Sequence, residues 1–369
     1  MLEPTNLTPV EMNTTRSAVL EKNEKIVVKE ITTPELQPDE CEVGIFSAGL
    51  CSSDIERGFG GGAYFYPLVM GHELAGEITR IGSNIGEGLS VGDKVCIFPL
   101  LPCFKCPACK EKRYALCRNY DYYGSRRHGG FAEKLNVKKW NLCKLPDGVD
   151  LEDGAFVEPM AVVLHAIEKL DLNSHKPGRL CILGGGFLGL VAVQIINQLY
   201  PESEILLVDR NQFKLDIGSQ CGAATRWIGD ADSWDSFLAD MDRAFDQVIE
   251  LVGSPETFGA ALQVAAPGAR VVWGGNISGD LNLTKAQVSS VLRKELIILG
   301  TWNSIYKGDG ICDWTRCLDL ISRGIQPSDF VSLRIDLDEL DATLSKLHAH
   351  KQRKVQFDII KVLVKPNKV

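Results

Sequence analysis

Two rhythms of apolar and polar positions divide this chain. From residue 24 to about 140, short apolar runs are cut by glycines, as in "GLCSSD" (49–54), "GGGAYFYP" (60–67), "GHELAGEITRIGSNIGEGLSVGDKV" (71–95) and "GSRRHGGFAE" (124–133). Such punctuation predicts a twisted, irregular all-β domain, in which 24–47 supplies two strands around a proline-containing loop. At 151–170, "LEDGAFVEPMAVVLHAIEKL" places apolar residues every three or four positions, which predicts helix. From 179 the pattern alternates. "RLCILGGG" predicts a buried strand, "FLGLVAVQIINQLY" a helix and "EILLVDR" the next strand, and the alternation continues through "ARVVWGG" at 269–275. Strands alternating with helices imply a parallel sheet covered on both faces. The first fourteen residues are polar and are expected to form a loose extension.

Composition narrows this picture. At 369 residues and 45 % apolar content, two domains with full cores are expected. The net charge of −8 argues against a nucleic-acid partner, which favours basic faces. The longest apolar run, "CILGGGFLGLVAVQII", is 16 residues with four glycines, too short for a bilayer span. The N-terminal stretch lacks the charged segment and long apolar core of a signal peptide. A soluble, cytoplasmic protein without a membrane partner is the expectation.

That compartment bears on "PCFKCPACKEKRYALC" (102–117), where Cys103, Cys106, Cys109 and Cys117 follow a C-x2-C-x2-C-x7-C spacing. Disulfides, a catalytic thiol pair and a metal cage compete. Cytosolic thiols stay reduced, and clustered ones bind metal more often than they pair. A redox pair stands alone, not as an overlapping triple with a fourth member. Lys105, Lys110, Glu111, Lys112 and Arg113 rule out a plain apolar core. Four thiolates satisfy zinc's tetrahedral preference and leave no open position, so the expected site is structural.

Gly184, Gly186 and Gly189 fit G-x-G-x-x-G, with Phe187 and Leu188 between the last two. The pattern follows a predicted strand, opens a predicted helix, and precedes Asp209 by 20 residues. That context is the dinucleotide fingerprint: glycines admit the pyrophosphate to a helix N-terminus, and a carboxylate takes the ribose hydroxyls. Asp209 repels a 2′-phosphate and favours NAD over NADP; the adjacent Arg210 works against this, since an arginine there could accept that phosphate. Elsewhere, Cys51 in "GLCSSD", His72 and Glu73 in "GHELAG", and Glu158 in "VEP" offer a thiolate, an imidazole and two carboxylates. A catalytic zinc takes three protein ligands and keeps one position open. Cys51, His72, and Glu73 or Glu158 meet that need.

These fragments together resemble the zinc-containing medium-chain alcohol and polyol dehydrogenases, from about residue 24 to the end. The likeness rests on Gly71, His72, Glu73, Gly76 and Gly82, on Gly92-Asp93-Lys94-Val95, on the four-cysteine lobe, and on "EPMAVVLHA" as in the sorbitol and threonine dehydrogenase branch. Within that branch, "PLLPCFKCPAC", "YDYYGSRRHGGFAE", "LEDGAFVEP" and "LRKELIILGTW" are nearest to a polyol-phosphate dehydrogenase. The N-terminal extension and His128 depart from it, which leaves the substrate open.

The resemblance implies an α/β protein in three spans. Residues 1–163 form a GroES-like catalytic β-domain with the zinc lobe, 164–303 a Rossmann doubly wound parallel-sheet domain, and 304–369 a return to the first domain. It implies two zinc ions, NAD, and a homodimer or homotetramer. Cys51, His72 and Glu158 would hold the catalytic zinc, with Glu73 either a fourth ligand or a neighbour. Asp54 would orient His72, and Ser53 would pass the alcohol proton outward while hydride moves to the nicotinamide. Arg126 and Arg127 in "GSRRHGGFAE" are candidate anchors for a phosphorylated polyol, since arginine's planar fork suits phosphate. A neutral cyclitol or amino-cyclitol dehydrogenase and a non-catalytic zinc-bearing relative are the alternatives. A zinc-free quinone reductase of the same superfamily would lack both the cysteine lobe and the Cys51–His72 pair.

Overall fold

The computed structural model describes residues 13–172, 178–229, 234–308, 310–352, 354 and 357–367. Nearly all of the expected N-terminal extension, residues 1–12, lies outside them. A seven-stranded sheet in the first domain runs Leu142–Lys144, Lys94–Ile97, Glu73–Ile81, Glu40–Leu50, Lys361–Val364 and Val331–Ile335, with Lys134–Lys138 pairing on Glu40–Leu50 as well. A three-stranded sheet of Lys25–Thr32, Thr14–Lys22 and Leu68–Val69 packs nearby. The strand Thr14–Lys22 is an addition to the sequence pattern, which places the first strand at 24. Its polar opening, Thr14-Thr15-Arg16-Ser17, hides the pattern, and its register Thr14↔Thr32 comes from antiparallel pairing with the next strand.

Glu40–Leu50 is the centre of the larger sheet. Apart from Phe46 all of its residues are buried, because neighbouring strands cover both edges and apolar clusters cover both faces. Two registers bring distant residues together at one end of this sheet. Glu73 faces Gly49, and Val362 faces Leu50, so positions 73, 49 and 361 are neighbours there. Cys51 follows directly.

The helical stretch read at 151–170 forms two helices, Leu151–Ala155 and Val157–Glu168. The second runs through the expected 163/164 boundary and is buried along most of its length. It packs on the helices Phe187–Leu199 and Asp313–Ser322, so one apolar cluster spans both domains.

The second sheet has six parallel strands in the order Ala224–Trp227, Glu204–Asp209, Arg179–Leu183, Phe245–Glu250, Ala265–Trp273 and Ile297–Gly300. In chain order this is the doubly wound 3-2-1-4-5-6 arrangement, which opens a ligand crevice where the order reverses, beyond Leu183 and Glu250. Among the described residues no helix is long and apolar enough to cross a membrane.

Candidate active site

The cysteine lobe passes a geometric test for a tetrahedral metal. With metal–sulfur bonds of about 2.3 Å, four thiolates sit roughly 3.8 Å apart. Here Cys106 Sγ is 3.5 Å from Cys109 Sγ and 3.9 Å from Cys117 Sγ, and Cys103 Sγ is 4.0 Å from Cys109 Sγ. The backbone N–H of Cys103 also donates to Cys117 Sγ at 3.3 Å. Backbone donation from Cys109 brings the Cys106 thiol down to about 6, whereas burial and the neighbouring sulfurs push Cys109 up to about 12. Four sulfurs this close ionise together only around a cation. The residues present fit zinc.

The second cluster is built at the end of the larger sheet. Cys51 caps the helix Ser52–Phe59, and its N–H donates to Asp54 Oδ2 at 3.0 Å. The ligand atoms of Cys51, His72 and Glu73 lie within 4.8 Å of one another. Glu158 is not in that group; its carboxylate accepts from the Tyr122 hydroxyl at 3.2 Å. Burial pushes Glu158 up to about 7, with His72 and Lys361 pulling against it and the Glu73 carboxylate adding to it. Two buried carboxylates, a thiol and an imidazole form a donor set that suits a divalent cation.

Asp54 is fully buried, with Oδ1 3.5 Å from His72 Nδ1 and 2.8 Å from Arg57 Nη1. Burial opposes a charge on either group, yet the pairing holds His72 well above and Asp54 below their ordinary values. A carboxylate on one ring nitrogen fixes the ring's orientation, as metal-ligating histidines require. Ser53 Oγ accepts from Arg57 Nη2 at 3.3 Å.

Three residues of this site are not among the sequence candidates. Arg57 is signalled by its spacing, i+3 from Asp54 and i+4 from Ser53 on one short helix. Lys361 is signalled as the single cation in the apolar "IIKVLV". Its buried ammonium donates to Glu73 Oε1 at 2.7 Å, forms an ion pair with Oε2 at 2.6 Å, and lies 4.7 Å from the Phe187 ring centroid. Tyr122 carries no signal. Its ring meets His72 edge-on at 5.8 Å.

The dinucleotide turn meets the metal cluster through Phe187, the residue that packs on Lys361. Gly184 has φ +111°, and a Cβ on Gly189 would sit 1.9 Å from the Gly184 carbonyl oxygen, so only glycine lets the helix approach the strand there. Gly186 caps the helix Phe187–Leu199, and Leu188 lies in its first turn. Asp209 accepts from the Gly185 N–H at 2.7 Å and the Asn211 N–H at 2.8 Å, which fixes its carboxylate at the strand end. Arg210 is exposed, its carbonyl accepting from Trp227 Nε1 at 2.9 Å.

The two substrate candidates diverge. Arg127 Nε is 2.9 Å from Asp121 Oδ2. Arg126 has no carboxylate partner among the described residues and lies between the rings of Tyr64 and Tyr120.

Comparison with known proteins agrees with this layout. The family profile "Alcohol dehydrogenase GroES-like domain" matches residues 37–147, and "Zinc-binding dehydrogenase" matches 188–323. Galactitol 1-phosphate 5-dehydrogenase of Escherichia coli (strain K12) is 39 % identical over 292 residues, 78 % of this chain and 83 % of that one. Sorbitol dehydrogenase of Bacillus subtilis (strain 168) is 27 % identical over 366 residues, 96 % of this chain and 98 % of that one. The crystal structure of galactitol-1-phosphate dehydrogenase from Escherichia coli superposes with a TM-score of 0.85 at 33 % identity, covering 95 % of this chain and all of that one. With two profiles along its length and a relative of this similarity, the chain belongs to the zinc-binding, GroES-like and Rossmann-domain alcohol dehydrogenases, and is an enzyme of that oxidoreductase class.

Proposed function

We propose that the protein oxidises a secondary alcohol of a polyol or polyol phosphate with NAD, using one catalytic and one structural zinc. A single observation carries the reading. Lys361 joins the two halves of the site, its ammonium pairing with Glu73 beside Cys51 and His72 while touching Phe187, the first residue of the dinucleotide helix. That contact supports reading the metal donors and the nucleotide turn as parts of one site.

Cys51 and His72 would hold zinc with Glu158, or with Glu73, whose carboxylate is the one within 4.8 Å of both; the ion would supply a Lewis acid for the alcohol oxygen, and NAD the hydride acceptor. The chain's own residues do the rest. Ser53 receives the alcohol proton, its oxygen positioned by the Arg57 guanidinium. Asp54 holds the His72 ring, and Tyr122 holds the Glu158 carboxylate. Lys361 neutralises Glu73, which otherwise adds a second buried negative charge beside Glu158; Glu73 completes the site or stands beside it. Asp209 takes the ribose hydroxyls of the cofactor, with Gly184, Gly186 and Gly189 admitting the pyrophosphate to Phe187 and Leu188 at the helix start. Metal analysis of the purified chain should find two zinc ions per protomer, and one would contradict the catalytic site.

The choice between NAD and NADP turns on Asp209. A 2′-phosphate meets a fixed carboxylate there, so kcat/KM with NAD should exceed that with NADP by roughly a hundredfold, a few kcal/mol. Preference for NADP would mean that Arg210 outweighs Asp209. A homodimer or homotetramer is favoured by the open edge strand Ile297–Gly300 and by exposed Leu292, Trp302 and Ile311 nearby in sequence; sedimentation of the native protein decides it. A four-cysteine metal lobe needs its thiols kept reduced, which favours the cytoplasm, and cell fractionation is the check.

A further inference from the structure

The turn 124–128 presents two arginines with different fates. The Arg127 guanidinium is neutralised by Asp121 and lies over Tyr123 at 5.2 Å. The Arg126 guanidinium carbon lies 4.3 Å from the Tyr120 ring centroid and 4.8 Å from that of Tyr64. Its one hydrogen bond to the backbone is a long one, Nη1 to the Tyr120 carbonyl at 3.5 Å. The guanidinium lies against both rings and also interacts with the Tyr64 and Tyr120 hydroxyls, neutral partners that leave it without an anion among the described residues. Stacking fixes the fork before a ligand arrives, so less rotamer entropy is lost on binding.

The position is also specific. Tyr120 meets Tyr122 edge-on at 6.2 Å, and Tyr122 meets His72 at 5.8 Å while its hydroxyl bonds Glu158. Arg126 thus stands at the outer end of a row of rings whose inner end is the metal cluster. His128 anchors the same turn. Its Nδ1 accepts from the Val69 N–H at 3.2 Å, and its ring packs on Phe65 at 5.8 Å, next to Tyr64. Burial holds His128 below its ordinary value, which suits a neutral ring accepting that bond.

We infer that Arg126, clamped between Tyr64 and Tyr120, forms a subsite for a phosphate monoester on the far end of the polyol whose alcohol lies at Cys51, His72 and Glu158. This rests on the polyol-phosphate reading of that site. Arg127 is a support for the turn and takes no part in binding. A planar fork gives phosphate two parallel charged hydrogen bonds, where a neutral polyol end gains one weak one.

The test compares galactitol 1-phosphate with galactitol, with NAD as acceptor. The native enzyme should favour the phosphate by about tenfold or more in kcat/KM, the size of one or two charged hydrogen bonds. Arg126→Ala should reduce that ratio to near one, chiefly through KM for the phosphate. Arg126→Lys should retain part of it, and Arg127→Ala all of it. Inorganic phosphate should compete with galactitol 1-phosphate in the native enzyme and lose that competition in Arg126→Ala. If the native enzyme shows the preference and Arg126→Ala keeps it, this subsite is wrong while the substrate class stands. A kcat loss shared equally by both substrates would make Arg126 a structural residue and also overturn the assignment. Absence of preference in the native enzyme removes the polyol-phosphate reading, and the subsite with it.

Discussion

Cys51→Ser should lower kcat/KM for alcohol oxidation by more than about a hundredfold, since residues that only orient metal ligands already cost 10–100-fold when removed. The fold should survive. Cys51 sits at the first turn of a surface-facing helix, half-buried, and serine keeps its shape and the N–H bond to Asp54. Zinc content should fall by one ion per chain, and the far-ultraviolet circular dichroism spectrum should stay that of the native protein. Native activity in this variant would show that Cys51 is not a ligand of the catalytic metal. Retained activity with unchanged zinc would point to Glu73 and Glu158 as sufficient donors with His72.

Cys106→Ser should do the opposite, reducing yield and thermal stability before chemistry. Metal bound in a closed site contributes its binding free energy to folding, about 10–16 kcal/mol for isolated zinc peptides. The lobe depends on it directly and the body through contact, because Phe104 and Tyr114 tie the lobe to the body through Trp140, at ring separations of 5.0 and 5.2 Å. Trp140 in turn packs on Tyr306 at 5.1 Å. Loss of the metal therefore loosens an aromatic cluster shared with the C-terminal segment. A drop in Tm of at least about 5 °C is expected, given a loss of several kcal/mol and roughly 2–4 °C per kcal/mol in domains of about 150–250 residues. Prolonged chelation of the native protein should reproduce it. An unchanged Tm would mean that the lobe folds on its own contacts and that the four sulfurs carry no structural metal.

The parts of this site that are legible in the sequence are those encoded locally. The cysteine lobe lies within fifteen positions, and strand, glycines, helix and Asp209 follow one another within a single βαβ unit. Period and spacing reveal such features because their partners are near in the chain. Lys361 is the counterexample. It meets Glu73 across 288 residues, through the pairing of Lys361–Val364 with Glu40–Leu50, and no local pattern records which strand a terminal segment will join. Tyr122 is hidden for the same reason, since it reaches Glu158 only when the short strand Asp121–Tyr122 folds over the first turn of Val157–Glu168. The arginine pair lies between these cases. Its position is readable, but the difference between Arg127 on Asp121 and Arg126 between two tyrosines depends on the loop carrying Tyr64.

Hydride transfer itself is the central claim, and isotope labelling tests it directly. A polyol phosphate carrying deuterium on the carbon to be oxidised should be incubated with NAD and zinc-loaded protein, and the cofactor analysed by mass spectrometry. The account predicts reduced NAD bearing one deuterium for each molecule of ketone formed. Ketone accompanied by unlabelled reduced cofactor, or consumption of the substrate with no reduced cofactor, would contradict it.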